Sequence, residues 1–185
     1  MKTLVCTRPG QFDYTQSDYP SQKSGHSILQ IKRIGICGTD LHAFEGTQPY
    51  FTYPRILGHE LAAEIVQTDS HELQIGELVT VIPYLHCGQC IACQQGKTNC
   101  CSSLQVLGVH IDGGMRTYIS IPNQYILKGE GLRLDELALV EPLSIGAHGV
   151  RRAQIQENEF VLVIGAGPIG LGVIEFAKIV KGKVI

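Results

Sequence analysis

Along most of the chain, apolar and polar positions alternate in short runs broken by glycine and proline. Residues 2–6 alternate into a short strand that Arg8-Pro9-Gly10 turns. Residues 11–27 are polar, carry Pro20 and Gly25, and read as an irregular approach. Over residues 26–36 the period-two pattern of a half-buried strand returns and delivers Cys37 at its end. Residues 39–42 predict a short helical turn. Strand character resumes over 58–66, over 76–83 behind a glycine turn, and over 116–122. Many short strands with this punctuation predict an all-β barrel.

The period changes near residue 134. Leu134, Leu137 and Ala138 have helical spacing, and so do Ile145, His148 and Gly149. Phe160-Val161-Leu162-Val163-Ile164 is then a fully apolar strand, followed by a glycine loop, an apolar helix to Val180 and the start of a further strand at Lys183-Val184-Ile185. The expected organisation is a mainly β domain over residues 1–150 and the beginning of an α/β domain over residues 151–185.

Composition narrows the function classes. The 185 residues are 44% hydrophobic and 17% charged, which suits a globular domain with a real core. Net charge is -2, and no basic stripe offers itself to nucleic acid. Residues 1–10 hold no apolar run of signal-peptide length. The most apolar stretch, 160–180, carries Glu175, Lys178 and four glycines, which argues against a membrane span. Seven cysteines without a secretion signal point to metal instead of disulfides, and to the cytoplasm.

Separate parts of the chain supply the donors of a catalytic zinc. Cys37 closes one strand, His59 and Glu60 stand side by side in Leu57-Gly58-His59-Glu60, and Glu141 lies in Val140-Glu141-Pro142-Leu143. Thiolate, imidazole and carboxylate with one position left open is the catalytic pattern. Taken alone, His59 reads as a structural histidine; the company of Cys37, Glu60 and Glu141 makes it a ligand candidate. Glu60 and Glu141 compete for one role, either binding directly while the other binds through water or stands behind it. Asp40 is a candidate acceptor for the second N–H of His59, or else a helix N-cap.

A second metal set is local. Cys87-x2-Cys90-x2-Cys93-x7-Cys101 places four thiolates within fifteen residues, the closed sphere of a structural zinc, with Gly88 and Gly96 freeing the backbone to wrap it. An iron–sulfur cluster is the rival, because Cys-x2-Cys-x2-Cys begins a ferredoxin run; the fourth spacing is wrong for it, and no proline follows Cys101. Cys100 is the alternative to Cys101, and Cys6 reads as a core thiol. Gly165-Ala166-Gly167-Pro168-Ile169-Gly170 is a G-x-G-x-x-G between an apolar strand and an apolar helix, the context of a dinucleotide-binding turn. Gly165, Gly167, Ile169 and Gly170 are its candidate cofactor contacts, and the helix N-terminus offers N–H donors to a pyrophosphate. The residue that separates NAD from NADP falls about 20 residues further on, near or past Ile185.

Taken together these motifs resemble one family. Gly35-Ile36-Cys37-Gly38-Thr39-Asp40-Leu41-His42, Gly58-His59-Glu60, the four-cysteine lobe, Val140-Glu141-Pro142-Leu143-Ser144 and the glycine loop fall in the order and spacing of the zinc-containing medium-chain dehydrogenases, the alcohol dehydrogenase superfamily. The resemblance runs through the whole chain. It implies a GroES-like β-barrel catalytic domain joined to a Rossmann domain, with one catalytic and one structural zinc and NAD or NADP. It also implies a small-molecule alcohol substrate, no nucleic-acid or membrane partner, and a homo-oligomer (dimer or tetramer) formed through the Rossmann domain. By the same resemblance, Thr39 takes the proton from the substrate oxygen and His42 passes it to solvent through the cofactor ribose. Glutamate at 141, where many members carry a cysteine ligand, resembles the branch acting on polyols, threonine or sugar acids, and Leu107-Gly108-Val109-His110-Ile111-Asp112-Gly113-Gly114 resembles bacterial sorbitol- and galactonate-type members. Family members continue for roughly as many residues again, so the chain is expected to hold the catalytic domain and only the first βα unit of the Rossmann domain. The alternative expectation is a non-catalytic, zinc-stabilised β-barrel fragment.

Overall fold

Strands β1 (Lys2–Arg8) and β2 (Gln11–Gln16) pair as an antiparallel hairpin, with Leu4 opposite Tyr14 and Cys6 opposite Phe12. The computed structural model that shows this describes residues 1–49 and 51–185. Next come β3 (His26–Gly35), helix α1 (Gly38–Glu45), β4 (Glu60–Gln67), β5 (Leu78–Val81), β6 (Tyr84–Leu85), α2 (Ile91–Gln94), β7 (Gln105–Val106), β8 (Tyr118–Pro122), β9 (Ile126–Lys128) and α3 (Leu134–Ala138). Then follow α4 (Val140–Ala153), β10 (Phe160–Val161), α5 (Pro168–Ile179) and β11 (Lys183–Val184). Contacts divide the chain into two units, Met1–Ala138 and Leu139–Ile185. Helix α4 runs unbroken through residues 150 and 151.

The first unit is built on a five-stranded antiparallel sheet in the order β8-β3-β4-β5-β9. Leu29, Leu61, Ile65, Val79, Ile119 and Ile121 lie on it fully buried; each such side chain contributes about 1.5–3 kcal/mol relative to exposure. A second cluster of Cys6, Ala43, Ile56, Leu57 and Met115 joins the β1–β2 hairpin to α1 and to the segment before β4. Helix α3 closes a third, Leu137 and Ala138 packing on Ala62.

Two local expectations need correction. Residues 11–16 are a strand, not part of an irregular approach. Phe12 and Tyr14 alternate with polar residues there, but Tyr14 is 84% exposed, so little apolar signal marks the strand and its backbone pairing with β1 defines it. The hairpin β6–β7, which closes the base of the cysteine lobe, was likewise not expected. Its strands are two residues each, too short for a period to show.

In the second unit, β10 and β11 pair in parallel, and the ladder is continued by Val163 N–H donating to the Ile185 carbonyl at 3.0 Å. The apolar run 160–164 is less buried than a parallel strand ordinarily is. Val161 and Val163 are half-buried, whereas Phe160, Leu162 and Ile164 are exposed. Helices α4 and α5 meet at two glycines: a Cβ on Gly146 would stand 3.0 Å from the Gly172 carbonyl carbon. Among the described residues, no helix is long and apolar enough to cross a membrane.

Candidate metal centres and glycine loop

Cys37 leaves β3 and becomes the N-cap of α1, with extended backbone at φ -82°. Asp40 completes the cap: its Oδ2 accepts the Cys37 N–H at 2.9 Å. Its Oδ1 accepts the Gly58 N–H at 3.2 Å. One buried carboxylate thus ties the Cys37 turn to the residue before His59, reaching back from the third position of α1 to the N-cap residue Cys37.

Glu60 opens β4, and the β3–β4 register sets it opposite Gly35, two residues before Cys37. That register delivers the His59–Glu60 pair beside the thiol. The ligand atoms of Cys37, His59 and Glu60 lie within 4.8 Å of one another, and His59 and Glu60 are buried. A tetrahedral zinc with bonds of about 2.0–2.3 Å keeps its ligands roughly 3.3–3.8 Å apart, so small side-chain adjustments suffice to close all three on one ion. The donor set, soft thiolate with imidazole and carboxylate, fits that metal. A hydrogen bond from His59 holds the Cys37 thiol below its ordinary range; burial opposes this, and donation from the Thr39 backbone and hydroxyl adds to it.

Gly35 is part of this geometry. A Cβ there would overlap the Glu60 carboxylate and stand 2.8 Å from the Glu60 Cβ. Gly35→Ala is therefore expected to displace the Glu60 side chain and lower stability by about 1–3 kcal/mol, as overpacking does. Thermal melting and zinc titration check this; an unchanged melt and unchanged zinc uptake would contradict it.

Of the remaining sequence candidates near this centre, Thr39 is half-buried in α1 and His42 is exposed, its Nδ1 3.4 Å from the Thr47 hydroxyl and 3.6 Å from Glu45. Glu141 sits buried in the first turn of α4, in the second unit.

The four sulfurs of Cys87, Cys90, Cys93 and Cys101 also gather within 4.8 Å, whereas Cys100 is exposed outside the group. Cys90 and Cys93 sulfurs are 3.5 Å apart, as are those of Cys87 and Cys101. Backbone N–H groups point at the sulfurs: Cys87 N–H to Cys101 at 3.3 Å, Cys90 N–H to Cys87 at 3.4 Å and Ser103 N–H to Cys101 at 3.4 Å. Such donors favour thiolates. N–H groups of Cys93 and Ser102 pull Cys90 down to about 5, while desolvation, and hydrogen bonding to Cys90, push Cys93 up to about 12. Four thiols this close cannot all ionise without a cation among them, and a tetrahedral zinc supplies that charge.

In the second unit, Gly165 adopts φ +102°, Gly167 caps α5 and Pro168 opens it. A Cβ on Gly170 would overlap the Gly165 carbonyl, so the third glycine lets helix and loop approach. Ile169 lies in the first turn of α5 and is 39% exposed.

Gly113-Gly114 and Asp112, marked in the sequence only by a likeness to bacterial sorbitol- and galactonate-type members, lie directly against the segment that carries His59. A glycine pair signals close backbone approach, but not what it approaches.

The alcohol dehydrogenase GroES-like domain family matches residues 23–131, and the chain belongs to that family. L-galactonate-5-dehydrogenase of Escherichia coli (strain K12) is 46% identical over 187 residues, covering 100% of this chain and 55% of that protein. Sorbitol dehydrogenase of Bacillus subtilis (strain 168) is 31% identical over 96% of this chain and 52% of its own length. A solved alcohol dehydrogenase from E. coli CFT073, complexed with NADH, superposes with a TM-score of 0.92 at 36% identity, over 100% of this chain and 55% of that one. The chain spans about half the length of the curated relatives it matches. Its fold is thus the expected one, a mainly β GroES-like half followed by the first βα unit of an α/β domain.

Proposed function

We propose that this chain is the catalytic half of a zinc-dependent oxidoreductase that oxidises a secondary alcohol, in a polyol, sugar acid or hydroxy amino acid, with hydride transfer to NAD or NADP. The observation that carries the proposal is the convergence of Cys37, His59 and Glu60 donor atoms within 4.8 Å. Cys37, His59 and a carboxylate, Glu60 or Glu141, would hold a catalytic zinc, and Cys87, Cys90, Cys93 and Cys101 would hold a structural one. When bound, zinc would supply the Lewis acidity that lowers the pKa of an alcohol hydroxyl toward about 7, and a nicotinamide would supply the hydride acceptor. Thr39, whose hydroxyl reaches the Cys37 sulfur, takes the substrate proton. His42 is exposed and passes it to solvent. Gly165, Gly167, Ile169 and Gly170 present the N-terminus of α5 to the cofactor pyrophosphate. The proposed assembly is a homodimer or tetramer joined through the α/β unit.

The sugar-acid, polyol and hydroxy-amino-acid classes are supported by the names of the relatives: an L-galactonate-5-dehydrogenase, a sorbitol dehydrogenase and an L-threonine 3-dehydrogenase of Pyrococcus horikoshii at 32% identity. Metal analysis, NADH fluorescence titration and turnover of L-galactonate, sorbitol and L-threonine test the proposal together. Two zinc equivalents with NADH quenching or enhancement support it. Two equivalents without NADH binding would favour a zinc-stabilised β module for the chain as it stands, a rival motivated by its spanning about half of its relatives. A visible iron–sulfur absorbance would overturn the zinc lobe.

A further inference from the structure

Residues 55–58 carry no regular structure of their own beyond a bridge at Arg55, yet they set where His59 and Glu60 begin. Their backbone groups are taken up from outside. Arg55 exchanges two hydrogen bonds with Cys6 in β1, at 2.9 and 3.0 Å. The carbonyls of Ile56, Leu57 and Gly58 accept from the N–H groups of Gly113, Met115 and Gly114 at 2.7, 2.9 and 2.8 Å. The Ile56 N–H donates to Asp112 Oδ1 at 3.1 Å, and the Gly58 N–H to Asp40.

The approach is that of backbone on backbone. A Cβ on Gly108 would stand 2.9 Å from the Gly58 nitrogen, and one on Gly113 would be 2.6 Å from the Leu57 carbonyl oxygen and overlap that of Gly58. Asp112 is the side chain that fastens the loop from its outer end. Besides Ile56 it meets Arg55 Nη1 at 3.4 Å, and its own carbonyl accepts from Arg116 Nη2 at 3.2 Å. Among the described residues, the Nε atoms of Arg55 and Arg116 are buried without a hydrogen-bond partner, so Asp112 is the near counter-charge for two half-buried guanidinium groups. Burial holds Arg116 below its ordinary range, and Asp112 pulls it back.

We infer that Asp112 is a positioning residue of the three-ligand metal centre: through Ile56 and Arg55 it locks the 112–115 loop onto residues 56–58 and so sets the reach of His59 and Glu60 toward Cys37. It touches neither metal nor substrate. The inference rests on the zinc reading of that centre for its metal consequence, but the lock itself exists without metal. Groups hydrogen-bonded to metal ligands typically carry about 10–100-fold in affinity; Asp112 acts one step further out, through Ile56 and Arg55, so the lower end of that range is expected.

Two measurements on the full chain decide it. In metal-free protein, hydrogen exchange of peptides spanning residues 55–61 is expected to run about tenfold faster in Asp112→Ala and near wild type in Asp112→Asn, which keeps an acceptor for the Ile56 N–H. In zinc titration, Asp112→Ala is expected to keep the four-thiolate equivalent and to bind the other about tenfold more weakly, with Asp112→Asn within about threefold of wild type. Unchanged exchange at residues 55–61 in Asp112→Ala overturns the lock. So does loss of both zinc equivalents together, which marks general unfolding. A wild-type chain that takes up only the lobe zinc refutes the catalytic-metal reading, while the exchange result still decides Asp112.

Discussion

Cys37→Ser protein is expected to hold one zinc where the wild-type chain holds two. The hydroxyl of serine does not ionise near neutral pH, whereas the hydrogen bond from His59 favours the Cys37 thiolate, and metal affinity follows the deprotonated ligand. The four-thiolate lobe lies elsewhere in the first unit and serves as an internal reference, so mass-spectrometric zinc content separates loss of one centre from loss of fold. The effect on turnover is larger. Moving an alcohol proton from a pKa near 16 to about 7 is worth roughly 12 kcal/mol at 1.36 kcal/mol per unit. No side chain of the first unit supplies a comparable amount, so alcohol oxidation, wherever this chain supports it, is expected to fall by more than about 10⁴-fold. A Cys37→Ser variant with two zincs and full activity would remove the catalytic assignment.

Cys101→Ser is expected to release the lobe zinc and leave residues 86–104 open to protease, while Cys100→Ser does neither. Structural zinc sites of this kind carry apparent binding energies of about 10–16 kcal/mol that are also folding energies. Without the ion, the lobe has the four-residue helix α2, a three-residue 3-10 turn at Thr98–Cys100 and the two-residue ladder β6–β7 to hold it. The buried five-stranded sheet beneath has its own core and is expected to persist. Limited proteolysis with and without a chelator, read by mass, checks this. If Cys100→Ser released the zinc and Cys101→Ser kept it, the fourth ligand would be the exposed neighbour instead.

The two candidate metal sites are legible in the sequence to different degrees. Cys87, Cys90, Cys93 and Cys101 fall within fifteen residues, so their spacing limits what they can form. The Gly165–Gly170 loop is equally local: Gly165 needs φ above zero, and Gly170 has no room for a Cβ beside its own loop. Residue type alone marked Cys37, His59 and Glu60 as donors. It did not show that Gly35 must lack a side chain so that the Glu60 carboxylate fits. Nor did it show that Asp40 binds two backbone segments at once.

Local chemistry, then, was written in the chain: the strand periods, the switch to helical spacing near residue 134, the thiolate spacing and the glycine turn. These depend on neighbours a few residues apart, where sequence distance and spatial distance agree. The register of β3 against β4, the seating of β1 on Arg55 and Met115, and the fastening of residues 112–115 onto 56–58 came from the folded chain alone. They join residues tens of positions apart through backbone hydrogen bonds, and a backbone amide is the same whatever side chain it bears. Which amide meets which carbonyl is settled by packing of the whole sheet, and that packing brings a thiol, an imidazole and a carboxylate to one point.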